Sequence, residues 1–109
     1  MRMWNVDTKL MCRKHLLGEH VEMHMFVGTI NEGKNIQGYL DNELIETGNI
    51  QKRHEKLVKE MKKRGYKHNS PLVFETEDSA GFVDKENNLI VLRSRCKECR
   101  RLQDGNTQS

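Results

Sequence analysis

Between His15 and Glu22 the chain sets titratable groups at helical spacing: His15, Glu19 and Glu22 recur at i, i+4 and i+7, positions that share one face of a helix. An imidazole beside two carboxylates can exchange protons near neutral pH, because the ordinary histidine pKa of ~6.5 is the one side-chain value in that window. The blander alternative is a salt-bridged helix surface. His20 and His24 stand four apart, but the order His-Val-Glu-Met-His lacks the Glu that directly follows the first ligand in zinc proteases, so a catalytic metal is not expected there. Near the other end, Cys96-Lys97-Glu98-Cys99 offers two sulfur ligands. A structural zinc site closes with four, and Cys12 and His15, also three apart, are the pair that would complete it. Buried free thiols in a reducing cytoplasm are the simpler reading, so no cofactor is expected. A zinc staple through Cys12, His15, Cys96 and Cys99 is the alternative. The chain carries no phosphate-binding Gly-x-x-x-x-Gly-Lys loop, no dinucleotide fingerprint and no serine nucleophile elbow, which excludes nucleotide hydrolases and α/β hydrolases.

The elements that position these groups read as helices. A first helix is expected from Asp7 or Thr8, either a good N-cap, to about Glu22 or beyond, with Leu10, Met11, Leu17 and Val21 near helical spacing. Gly18 interrupts it, and a close backbone approach would explain a glycine there. Met23 to Ile30 is apolar enough to be buried, and the stretch punctuated by Gly28, Gly33, Gly38 and Gly48 reads as loop. The clearest helix carries Ile50, His54, Leu57, Val58 and Met61 on one stripe, with Asn49 to cap its start and Gly65 to end it. A polar, acidic loop follows over residues 75–81. A third helix capped by Asp84 presents Leu89, Leu92, Cys96 and Cys99 and continues to Leu102, in competition with a hairpin through Asn87-Asn88. The expected architecture is all-α: a small single-domain bundle of about three helices with long irregular loops, spanning residues 1–109 with 103–109 frayed. Trp4, the one tryptophan, is expected in the core.

At 109 residues the chain has room for one domain. Hydrophobic residues are 35% and charged residues 32% of it, so the core is gathered from narrow apolar stripes and a large buried pocket is not expected. No apolar run reaches the ~20 residues that cross a bilayer and no signal peptide is evident, so a cytoplasmic protein without membrane attachment is expected. The net charge is only +3, but seven basic residues stand against two acidic ones from Lys52 to Arg64, and five against one from Arg93 to Arg101. Such segregation suits a polyanion, because each phosphate neutralised releases condensed counterions; a solvated helix face is the plainer account.

Two stretches then resemble a known family, the pyrimidine-dimer DNA glycosylases, also called ultraviolet-repair endonuclease V, of phages and some bacteria and viruses. They are Lys14-His15-Leu16-Leu17-Gly18-Glu19-His20-Val21-Glu22 with Phe26-Val27-Gly28, and the basic run from Lys52 to Tyr66. The resemblance implies a small, mainly helical domain and a nucleophile that is the α-amino group of the chain's first residue, here Met1. Bulky Arg2 would leave the initiator Met in place. An α-amine with a pKa of ~7.7–8.0 is partly unprotonated at neutral pH and can attack the sugar C1′, expel the base and form an imine that leads to strand cleavage. The resemblance assigns Glu22 as the catalytic carboxylate and His15 as an active-site histidine, and Arg2 stands beside the nucleophile. Arg2, Lys14, Arg53 and Arg64, with nearby lysines, are then expected to hold phosphates. Where the family has arginines around the catalytic Glu, this chain has Val21 and Met25, and a Cys-x-x-Cys tail replaces the family's C-terminal aromatic cluster. The implied protein is a monomeric glycosylase and abasic-site lyase of a bacterial or phage-infected cell. Its partner would be double-stranded DNA with a damaged pyrimidine or an abasic site, its target base flipped from the duplex. A non-enzymatic DNA-binding or adaptor protein, zinc-stapled or not, is the alternative.

Overall fold

The computed structural model describes residues 1–107. Every regular element in that span is helical: α1 (Arg13–Asn31), α2 (Gln37–Asp41), α3 (Ile50–Lys63), α4 (Lys85–Arg95) and α5 (Lys97–Thr107), with single 3-10 turns at Thr8–Leu10 and Thr47–Asn49. The all-α class holds, with five α-helices rather than about three. No described helix is long and apolar enough to cross a membrane.

The first helix is shifted along the chain from its expected place. Asp7 does cap, accepting from the Lys9 backbone N–H, but it caps only the 3-10 turn, and α1 begins after Cys12. It buries Leu16, Glu19, His20, Met23, Phe26 and Val27, one helical stripe. It runs on through Gly28 to Asn31, where a loop was expected. A helical glycine costs only ~1 kcal/mol relative to Ala, and burial of Phe26 or Val27 stabilises by about 1.5–3 kcal/mol, so tertiary packing overrides the local breaker. Gly18 is exposed and a Cβ there would meet nothing within 4 Å, so no close approach explains it.

The α3 stripe is as the periodicity predicts: Ile50, His54, Leu57, Val58 and Met61 are all buried. Asn49 stands at the N-cap position without a side-chain capping bond, its amide group turned instead toward Asn5 and Glu46. Gly65 ends the helix at φ 84°, its N–H bonded to the Lys62 carbonyl and that of Tyr66 to the Met61 carbonyl, the paired bonds of a Schellman turn. Asp84 caps α4 by accepting from the Asn87 N–H, and no hairpin forms. The expected single helix to Leu102 is instead two, because Cys96 adopts an extended conformation between α4 and α5. The tail expected to fray is helical through Thr107, with Gln103 buried; residues 108–109 lie outside the described span.

The core joins these helices to the N-terminal segment. Met3, Trp4 and Val6 are buried with Leu16, Met23 and Phe26 of α1, Ile45 of the segment before α3, Leu57 and Met61 of α3, and Leu92 and Cys99 of the last two helices. Trp4 is a core residue, as expected. The acidic loop of residues 75–81 is tied down at its end, where Thr47 donates its backbone N–H to the Ala80 carbonyl and accepts the Ala80 N–H on its hydroxyl. Gly81 is required there: its φ is 90° and a Cβ would lie 2.1 Å from the Ile45 carbonyl oxygen.

Candidate active site

The extended N-terminal segment is held by polar groups along its length. The Met3 N–H donates to the Leu44 carbonyl at 2.7 Å, and the buried Asn88 amide of α4 donates to the Trp4 carbonyl at 2.9 Å. Asn5 turns the chain at φ 55°, a left-handed conformation that asparagine tolerates. Arg53 of α3 then donates to the Val6 carbonyl at 2.8 Å. These bonds leave the chain's first residue against α1.

There the Met1 α-nitrogen lies 3.8 Å from Oε1 of Glu22, an ion pair longer than a hydrogen bond, with 13% and 27% of the two side chains exposed. Burial raises the Glu22 pKa above its ordinary value, while the adjacent ammonium and the Arg2 backbone amide pull in the opposite direction. The Arg2 guanidinium stacks over Trp4, 3.9 Å from the ring centroid, and donates to the Asn88 side-chain oxygen at 2.5 Å. Burial and the neighbouring Arg95 cation both lower the Arg2 pKa, and its Nε is buried without a hydrogen-bond partner. The Glu22 and Glu19 carboxylates act on the Arg2 pKa in the opposite direction.

The other predicted residues fall elsewhere. Glu19, on the helix face expected to carry the chemistry, is fully buried and takes two bonds from Arg53, at 2.6 and 2.8 Å. Arg53, expected on phosphate, is itself 2% exposed and forms a core ion pair at the floor of the groove described below. Arg64 binds Glu60 and donates to the Thr8 and Met11 carbonyls, which braces the 3-10 turn. Lys14 is exposed. His15 stands edge-on to Trp4, with its Nδ1 3.3 Å from the Cys12 sulfur and 3.6 Å from that of Cys99. Burial and the nearby Lys14 cation lower its pKa. Val21 and Met25, flanking Glu22 on α1, are 54% and 50% exposed.

Sequence reasoning missed Asn88, which fastens both Arg2 and the N-terminal backbone. Its signal was a polar residue four before Leu92 on what is now the buried stripe of α4. It also missed that His54 and His68 converge on His20 and His24, a grouping that draws on three separate segments. A groove of about 860 Å³ runs beside residues 5–10, α3 and the start of α4, with Lys9, Lys56, Lys59, Lys63 and Lys85 along it. Asp7, Glu60 and Glu86 line it as well, so the potential inside it is set by the excess of cations over these carboxylates.

The helical scaffold holds the chain's α-amine against a partly buried carboxylate, and a separate groove lined by more cations than carboxylates runs along α3. Residues 1–73 match the family model for pyrimidine dimer DNA glycosylase, and the chain belongs to that family. Comparison with curated proteins and with solved structures returns no match. The matched span holds Met1, Arg2, Glu22 and the basic helix α3; α4 and α5, with Asn88, Cys96 and Cys99, lie beyond it.

Proposed function

We propose that this protein is a DNA glycosylase with associated abasic-site lyase activity that removes a damaged pyrimidine from duplex DNA, with the Met1 α-amine as nucleophile. The observation that carries the reading is the 3.8 Å approach of that amine to Glu22 in a chain of this family. The unprotonated nitrogen attacks C1′, the C1′–N bond to the base breaks, and the base leaves with a proton on its nitrogen. Opening of the sugar ring at the C1′–O4′ bond gives a protonated imine. Loss of a C2′ proton then expels the 3′ phosphate, and water releases the amine. Glu22 has two tasks: as a carboxylate it stabilises the cationic sugar, and it relays protons between the amine, the ring oxygen and C2′. A partly desolvated carboxyl with a raised pKa suits that exchange.

Arg2 is the phosphate-binding cation nearest the chemistry, with the Arg95 cation close enough to affect it. In place of Arg53 and Arg64, the groove lysines Lys56, Lys59 and Lys63 track the backbone, with Lys14 exposed on α1. His15 is assigned a positioning role through Trp4, on which Arg2 stacks.

Borohydride trapping on a duplex with one abasic site tests the mechanism, using untagged protein and Glu22→Gln alongside. A covalent adduct that maps to the Met1 nitrogen, and that disappears when the amine is blocked by an added N-terminal residue, is the expected result. Tight DNA binding with no adduct at any pH would end the lyase reading and leave a non-enzymatic DNA-binding protein.

A further inference from the structure

Cysteine is not a favoured N-cap residue, yet two of the three cysteines occupy that position. Cys12 precedes the first residue of α1, and its side chain makes no capping bond. Cys96 precedes the first residue of α5. In each case the next candidate ligand, His15 or Cys99, stands three residues on, in the first helical turn, so the two motifs superpose in role. The helix ends converge. The Cys12 and Cys96 sulfurs are 3.8 Å apart, and His15 Nδ1 is 3.3 Å from Cys12 and 3.6 Å from Cys99. All four ligand atoms lie within 4.8 Å of one another.

We propose that Cys12, His15, Cys96 and Cys99 bind one zinc ion in a closed structural site. A tetrahedron with Zn–S of about 2.3 Å and Zn–N of about 2.0 Å has edges of roughly 3.8 Å between sulfurs and roughly 3.5 Å between sulfur and nitrogen, which the observed spacings match. A disulfide, at about 2.05 Å, does not fit them. The Cys12 backbone N–H points at the Cys99 sulfur at 3.3 Å and that of Cys99 at the Cys96 sulfur at 3.4 Å, amide donors of the kind that steady metal-bound thiolates. Two helix N-termini, each carrying partial positive charge, face the same point, and thiolates there offset that repulsion. With four protein ligands no position is open for catalysis. The ion would lock α4 and α5, which lie outside the family match, onto the head of α1. Asn88 of α4 then holds Arg2 and the Met1 segment in place.

A second site stands on separate observations. The Nε2 atoms of His54 and His24 are 3.1 Å apart and those of His68 and His20 are 3.0 Å apart, and one nitrogen from each of the four rings lies within 4.8 Å of the rest. A tetrahedral ion held by four imidazoles at about 2.0–2.1 Å sets N···N edges of roughly 3.3 Å. The opposite ring nitrogen of His54 meets the Glu55 carboxylate at 3.0 Å, an outer partner of the kind that orients metal-bound histidines. This cluster takes a second first-row divalent ion, with zinc as the probe.

The test is metal content per chain of the full-length, untagged protein after zinc loading and gel filtration, and it does not depend on the glycosylase reading. Two ions are expected in the parent, one in Cys96→Ser/Cys99→Ser and one in His24→Gln/His68→Gln. His15→Cys is the conservative variant: it preserves four ligands and is expected to keep both ions. Cobalt loading of the parent supplies a readout free of any folding defect, because thiolate-to-cobalt bands report the cysteine site directly. A parent with no cobalt–thiolate bands, or with Cys12 and Cys96 oxidised to a disulfide in reducing buffer, would overturn the first site. One ion in the parent and none in the cysteine variant would overturn the second.

Discussion

Two glutamates three residues apart on α1 are placed by one helix in two different environments. Glu19 is sealed in the interior, where Arg53 grips both its oxygens and the Asn5 N–H approaches at 3.5 Å. Glu22 sits at the rim, 27% exposed, with the Met1 amine as its ion-pair partner at 3.8 Å. A buried bidentate pair satisfies its charges internally, whereas burial against a loose partner raises the Glu22 pKa. The residue type is the same; the depth and the partner differ, and the proposed chemistry rests on the outer of the two.

The largest effect that would break this contrast falls at the rim. Glu22→Gln, or an added residue on the Met1 amine, is expected to lower cleavage of a lesion-bearing duplex by about 10²-fold or more while circular dichroism and melting stay near those of the parent. In the interior the outcome reverses. Glu19→Gln leaves Arg53 buried and uncompensated, with an expected loss of about 3–5 kcal/mol on denaturant unfolding. Glu19→Leu combined with Arg53→Met is expected to recover most of that loss, because no charge is then left buried alone. Similar activity losses in the Glu19 and Glu22 variants at temperatures where both remain folded would erase the distinction.

Smaller effects sharpen it. Replacing Lys56, Lys59 and Lys63 together by Ser is expected to weaken DNA binding and to flatten its dependence on salt, by about one power for each phosphate no longer neutralised, read from affinities across a salt series. The pH dependence of Glu22 has a definite sign. Its folded pKa is raised, so the carboxylate is lost as pH falls through a value above the ordinary 4.5, and the acid limb of the rate is expected to lie above that value. The linked stability contribution is present at low pH and fades as pH rises through the folded pKa, so at pH 7 Glu22→Gln is expected to unfold no more easily than the parent. Gly18→Ala sets the scale of a change that touches neither carboxylate: with open space around it on an exposed helical turn, a gain of up to ~1 kcal/mol is expected from calorimetry.

The local patterns were legible wherever a helix carried its own signals. The stripe of α3 with its Gly65 terminus and the Asp84 cap each rest on residues within a few turns of one another, while the burial of Trp4 was legible from its residue type alone. The length of α1, the break at Cys96 and the helical tail were not, because they depend on what Phe26, Val27 and Gln103 pack against. Basic charge on α3 was legible as well, but not how each cation is used: Arg53 and Arg64 are held by internal partners while Lys56, Lys59 and Lys63 keep their charge at the groove.

The sequence by itself determined the all-α class, the family-bearing blocks and the pair of three-residue metal spacings, since each is fixed by neighbours along the chain. Only the tertiary structure decided that Glu19 would be buried and Glu22 left at the rim, that His15 would meet three cysteines, and that four histidines from three segments would converge. Those outcomes turn on distances between residues as far as 84 positions apart, as His15 and Cys99 are, which helix packing sets and periodicity along the chain does not encode.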